Sequence, residues 1–259
     1  MRRRETLKGL AAVGACLAGT VRGAEDDRPA LVAVAASVQP ALAEIAQAWT
    51  RASGQRLQLT FGASGNFVRQ IQQGLPAELF LSADEAFAMA LVRAGLTRDA
   101  GAIYATGRLA LLVAPGVDIP LDAQLQGLKA GWSRVHKFAI AHPELAPYGQ
   151  AAREVLQAVG LWEQARAKLV IGENVAQAAQ FVAAGAAQAG LVALSLVAGP
   201  AASRLGQHLA LPDSLHAPLR QRMVLLKQAG PVAAAFYEHL KSAPAQAVLQ
   251  RHGFATDQR

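Results

Sequence analysis

Four short turns hold the residues best suited to bind something small: Ser37, Ser64-Gly65-Asn66, Pro147-Tyr148-Gly149, and Asn174 ahead of Val175. None of these residues is charged. Their common resource is the donated hydrogen bond, from a hydroxyl or from a main-chain N–H at the opening of a helix. The first N–H groups of a helix lack partners within it and sit at the positive end of its dipole, so several such ends facing one another form an anion site. A second reading stands beside this one. Ser37, Ser64 and Asn174 are all good helix caps, and Tyr148 suits the cover of a loop. Whether the four turns meet is a question of tertiary structure.

The surrounding pattern gives each turn a similar position. Short β-rich apolar runs occur at Leu31 to Ala35, Leu57 to Phe61, Leu79 to Leu81, Leu109 to Val113, Phe138 to Ile140, Leu169 to Ile171, Gly190 to Ala193 and Met223 to Leu226. Helical spacing lies between them, as in Leu42, Ile45, Ala46, Trp49, in Ala152, Val155, Leu156, Val159, and in Val175, Ala178, Ala179, Val182. Pro231 to Ser242 reads as a terminal amphipathic helix with Val232, Phe236, Tyr237 and Leu240 inward. Alternation of strand and helix predicts an α/β protein with mostly parallel sheets. Ligands of such sheets bind beyond the carboxyl ends of the strands, where the four turns fall.

Composition removes several classes. With 53% hydrophobic and 17% charged residues, the chain is expected to fold and bury a core. One cysteine, Cys16, permits neither an intramolecular disulfide nor a thiolate zinc site. The formal charge of +7 suggests an acidic partner until its distribution is considered. Met1 to Ala24 carries Arg2, Arg3, Arg4, Lys8 and Arg22 against Glu5, and a chain without this segment holds only +3. Its charged start, apolar stretch from Gly9 to Val21 and small Gly23-Ala24 pair read as a secretory signal peptide over 1–24. Arg3-Arg4-Glu5-Thr6-Leu7-Lys8 resembles a twin-arginine export signal, with an ordinary Sec signal as the alternative. Val13-Gly14-Ala15-Cys16 resembles a lipoprotein processing box; otherwise Cys16 is discarded with the leader. Both readings place the protein outside the cytoplasm.

Longer motifs carry a family resemblance. Val32-Ala33-Val34-Ala35-Ala36-Ser37, Phe61-Gly62-Ala63-Ser64-Gly65-Asn66 with Arg69-Gln70-Ile71, and Gly74-Leu75-Pro76-Ala77-Glu78-Leu79-Phe80-Leu81-Ser82-Ala83-Asp84 occur in order. His142-Pro143-Glu144-Leu145-Ala146-Pro147-Tyr148-Gly149, Gly172-Glu173-Asn174-Val175 and Arg251-His252-Gly253-Phe254 follow. Together they resemble the periplasmic molybdate-binding proteins of ABC transporters over nearly all of the chain after the leader. The resemblance implies a two-lobed type II periplasmic binding fold, each lobe a mostly parallel sheet flanked by helices, joined by a two-stranded hinge. Lobe I is expected over 25–112 plus 223–259 and lobe II over 113–222. The ligand implied is molybdate or tungstate, with no cofactor and no enzyme activity. The implied partner is an ABC permease in the inner membrane, and the protein is expected to be a periplasmic monomer.

Carried over by motif, Ser37 and Ser64 each offer a hydroxyl and an N–H, Tyr148 its N–H, and Val175 its N–H. These four contact the oxyanion rather than ligating the metal directly. Asp84, in the Ser-Ala-Asp motif, is expected to be structural. Two departures stand out. Ala193 occupies a position where some members carry a tyrosine donor, which leaves the Tyr148 phenol as substitute, and Glu78 replaces an aspartate. Another tetrahedral oxyanion such as sulfate is the nearest alternative ligand. A serine hydrolase using Ser64 is more distant, since Asn66 breaks the G-x-S-x-G pattern and the six histidines are scattered. The spread of single basic residues also argues against a nucleic-acid partner, despite a sequence pI of about 10.1.

Overall fold

The computed structural model describes residues 28–199 and 205–256, so the leader, Cys16 and the twin-arginine stretch lie outside the described residues. In chain order the elements begin β1 (Ala30–Ala35), α1 (Gln39–Ser53), β2 (Leu57–Gly62), α2 (Ser64–Gln72), β3 (Leu79–Leu81), α3 (Glu85–Arg93), β4 (Ala102–Gly107) and β5 (Leu109–Val113). Next come α4 (Gln126–Ala130), β6 (Phe138–Ala141), α5 (Pro147–Ala158), α6 (Trp162–Arg166), β7 (Leu169–Gly172), α7 (Val175–Ala183), β8 (Ala189–Ala193) and α8 (Leu194–Val197). The chain closes with β9 (Gln207–Ala210), β10 (Leu219–Leu225), α9 (Pro231–Leu240) and α10 (Ala243–Arg251).

The strands form two sheets, ordered β2-β1-β3-β10-β4 and β7-β6-β8-β5-β9. In the first, β2, β1 and β3 are parallel, β10 is antiparallel to both β3 and β4, and β4 therefore points with the first three. The second repeats the scheme, with β5 as its reversed strand between β8 and β9. Each sheet thus has four strands in one direction and one reversed.

Each sheet organises its own core. Ala41, Leu42, Ile45, Ala46 and Trp49 form the buried stripe of α1, and the Trp49 ring meets Phe236 of α9 edge-on at 5.1 Å. Gly54 stops α1 with φ of 72°, a left-handed value that costs glycine little, while its N–H returns to the Thr50 carbonyl. In the second sheet, α5 buries Ala151, Ala152, Val155 and Leu156, and α7 buries Val175, Ala178, Ala179 and Val182. Burial of a Val, Leu or Ile side chain stabilises by about 1.5 to 3 kcal/mol, so these stripes fix the helices on the sheets. Val232, Phe236, Tyr237 and Leu240 are indeed inward on α9, but α9 is not terminal, because α10 follows it.

The chain passes between the sheets twice. It leaves the first between β4 and β5, at Arg108, and returns between β9 and β10. All of β5 pairs inside the second sheet, so the sheets part at Arg108 rather than after residue 112. The return likewise precedes 223, because β10 begins at Leu219 and pairs with β4 from there. A continuous apolar run such as Leu109 to Val113 fits a fully buried strand of either sheet, and the expected boundary misplaced it for that reason.

Candidate functional site

Ser37, Ser64, Tyr148 and Val175 line one hollow between the sheets, together with Ala35, Ala36, Gly62, Ala63, Ala83, Ala146, Pro147 and Asn174. It holds about 200 Å³ of empty space including its mouth, and none of its lining residues is charged. Each side contributes the ends of two parallel strands. Ser37 lies in a 3-10 turn, Ala36–Val38, directly after β1, and Ser64 opens α2 after β2. Across from them, Tyr148 is the second residue of α5 and Val175 the first of α7, which follow β6 and β7. First-turn N–H groups have no acceptor inside their own helix, and the starts of four such segments meet at this hollow.

The capping alternative divides the residues. Asn174 is a cap: its Oδ1 accepts from the N–H groups of Ala176 at 3.0 Å and Gln177 at 3.1 Å. Neither serine is one, for no side-chain capping bond is made at the Ala36 turn, at α1 or at α2. Ser64 Oγ instead accepts from the Ala83 N–H at 3.0 Å, which occupies an acceptor site of the oxygen and leaves its proton to donate. Asp84 caps α3 by accepting from the Phe87 N–H at 3.0 Å, and also accepts from the Ser82 hydroxyl at 3.1 Å. Burial raises its carboxyl above the ordinary aspartate value despite these bonds. Glu78 is similarly occupied: its carboxylate accepts from the Gly230 N–H at 2.6 Å, at the start of α9.

Tyr148 is 1% exposed, and its ring runs from the hollow toward the crossing at Arg108. The phenol oxygen accepts from Gln221 Nε2 at 3.1 Å. Burial pushes this phenol well above its ordinary value, so it stays protonated through the physiological range. The turn that delivers it needs glycine at 149, where a β-carbon would lie 2.5 Å from the His142 carbonyl oxygen. Ala193, at the end of β8, is fully buried and brings no polar side chain.

Two further bonds, beside that of Gln221 to Tyr148, tie the halves together at the hollow. The Gly65 N–H donates to the Leu145 carbonyl at 2.9 Å, and Ser195 Oγ donates to the Ser37 carbonyl at 2.6 Å. Ser195, Gln221 and Tyr104 escaped the sequence reading. The clue for Gln221 lay in the alternation Leu219, Gln221, Met223, which places a polar residue on the buried face of β10.

Two sheets in two lobes, crossed twice by the chain and facing each other over a hollow lined with donors, make the build of a two-lobed solute-binding protein. Residues 30–255 match the bacterial extracellular solute-binding protein family, and the chain belongs to that family. Among its relatives are the molybdate-binding proteins of Azotobacter vinelandii, 38% identical over 227 residues, and of Rhodobacter capsulatus, 36% identical over 230 residues. The first alignment covers 86% of this chain and 88% of the relative, and the second 88% of each. The solved structure of the Azotobacter vinelandii periplasmic molybdate-binding protein superposes with a TM-score of 0.81 at 30% identity, covering 88% of this chain and all of the other.

Proposed function

We propose that the chain is an exported solute-binding protein that captures molybdate or tungstate between its lobes and presents the closed form to an ABC permease. What carries the reading is the hollow itself: Ser37 and Ser64 from one lobe and Tyr148 and Val175 from the other share it, and every polar group they turn to it can donate. Molybdate and tungstate are fully ionised near neutral pH, so their oxygens only accept. A carboxylate in the lining would repel them, and a protonated phosphate would be favoured by such an acceptor, which is not among the lining residues. Sulfate presents the same acceptors on a smaller frame. It is rejected because it cannot reach every donor, and each unmet buried donor costs about 1 to 3 kcal/mol. Fixed N–H dipoles in a water-poor hollow make a lysine or arginine unnecessary.

Lobe I in this reading is the first sheet with α1 to α3, α9 and α10, and lobe II is the chain between the crossings. The crossings act as the hinge, and the Gly65 and Ser195 bonds hold the closed form. The leader directs the protein to the periplasm, where it works as a monomer, and lipidation at Cys16 would add an anchor. The relatives named as molybdate-binding support the choice of ion. Calorimetric titration of the purified protein with molybdate, tungstate, sulfate and phosphate tests it. Tight binding of the first two alone is expected, and a preference for sulfate or phosphate overturns it.

A further inference from the structure

Behind Ser37 runs a file of buried polar side chains that no donor role in the hollow requires. The Tyr104 hydroxyl, on β4, donates to Gln221 Oε1 at 2.7 Å, with the Ser82 carbonyl farther away at 3.3 Å. Gln221 lies on β10, and its Nε2 is 3.1 Å from the Tyr148 phenol oxygen and 3.5 Å from Ser37 Oγ. Tyr104 is 3% exposed, Gln221 is fully buried, and both phenols are held protonated by burial. The register of β10 against β4 shifts between Gln221 and Arg222, a bulge of the kind that re-aims a side chain. At Gly107, the last residue of β4, a β-carbon would collide with the Tyr148 hydroxyl and lie 2.7 Å from Gln221 Nε2, so the strand leaves room for this junction.

We propose that Gln221 is a positioning residue that fixes the direction of every proton in this file, so that Ser37 faces the hollow as a donor. An amide has one accepting end and one donating end. With the Tyr104 hydroxyl on Oε1, the donating end meets Tyr148. Its second N–H is directed at Ser37 Oγ, so both oxygens are occupied as acceptors. Ser37 in turn has only its proton left to offer the hollow. Turned the other way, Oε1 would take that place, the phenol and Ser37 would both donate to it, and a lone pair of Ser37 would face the anion. Ser64 reaches the same polarity by a shorter route, through the Ala83 N–H.

The inference rests on the proposed oxyanion site, and a double-mutant cycle read by molybdate calorimetry separates the two. Gln221→Met should weaken molybdate binding about tenfold in the wild-type background, the size expected for a misdirected hydrogen bond to a charged group. In the Ser37→Ala background, titrated at higher molybdate concentration, it should cost less than about twofold, because the group it acts through has gone. Equal losses in both backgrounds, or a lowered melting temperature with unchanged affinity, overturn the relay and leave Gln221 a packing residue. Tyr104→Phe, which removes one hydroxyl remote from the hollow, should repeat the loss in weaker form, and unchanged affinity there also counts against the relay. Should Ser37→Ala and Ser64→Ala themselves leave affinity intact, it is the site assignment that fails.

Discussion

The two lobes meet the hollow with different chemistry. Lobe I brings side chains beside its main chain: the hydroxyls of Ser37 and Ser64, each with its oxygen already engaged by a neighbour. Lobe II brings main chain, the N–H groups at the starts of α5 and α7; of its polar side chains there, Asn174 is spent on its cap and the Tyr148 phenol turns back toward lobe I. A hydroxyl is lost to any substitution of its residue, whereas an N–H survives every substitution but proline. The hydroxyl donors of the proposed site are therefore exposed to ordinary mutation, and its main-chain donors are protected so long as the helix starts stay in place.

That contrast can be broken at several points. Ser64→Ala should weaken molybdate binding tenfold or more, since a hydrogen bond to a charged group contributes about 1.5 to 3 kcal/mol, and unchanged affinity in calorimetry would remove Ser64 from the site. On the other lobe, Val175→Ala should shift affinity by less than about twofold, because it keeps the N–H and trims only apolar contact. Val175→Pro deletes that N–H at a first helical position, where proline fits, and Asn174 already has the extended backbone that a following proline prefers. It should cost about tenfold in affinity with α7 intact by circular dichroism, and equal affinities for the two Val175 variants would place the donor elsewhere. Asn174→Ala should lower stability by about 1 kcal/mol in denaturant unfolding through loss of its cap, with a smaller change in affinity.

The weakest effect concerns pH. Because burial raises the Tyr104 and Tyr148 phenols above the ordinary value of 10.0, the unfolded chain releases these protons first as pH climbs. Their neutral forms are fully present in the fold below that value, and stability declines only above it. Molybdate affinity should accordingly stay flat through pH 9, and phenolate absorbance should appear late, together with unfolding.

Much of the fold was legible because its central strands are nearly pure apolar runs: Leu79 to Leu81 and Leu109 to Val113 have the same bounds in sequence and structure. The edge strands β4 and β9 were not. Ile103, Thr106, Gln207 and His208 mix polarity as half-exposed edges do, which erases the run. The first half of β10 was hidden by Arg220 and Arg222 on either side of Gln221, although the arginines point away from the buried face and pair with Glu85. Around the hollow, the turn after each strand was enough to single out Ser37, Ser64, Tyr148 and Asn174, and the family resemblance added the Val175 N–H. The file behind Ser37 was not, because Tyr104, Gln221 and Tyr148 come from three distant parts of the chain and only sheet pairing brings them side by side.

The bond from the Gly65 amide to the Leu145 carbonyl spans the jaws with main chain alone, so no side-chain mutation erases it. Its hydrogen is a built-in gauge: the pace at which it trades with heavy water counts how often the jaws part, and a captured ion should slow that clock.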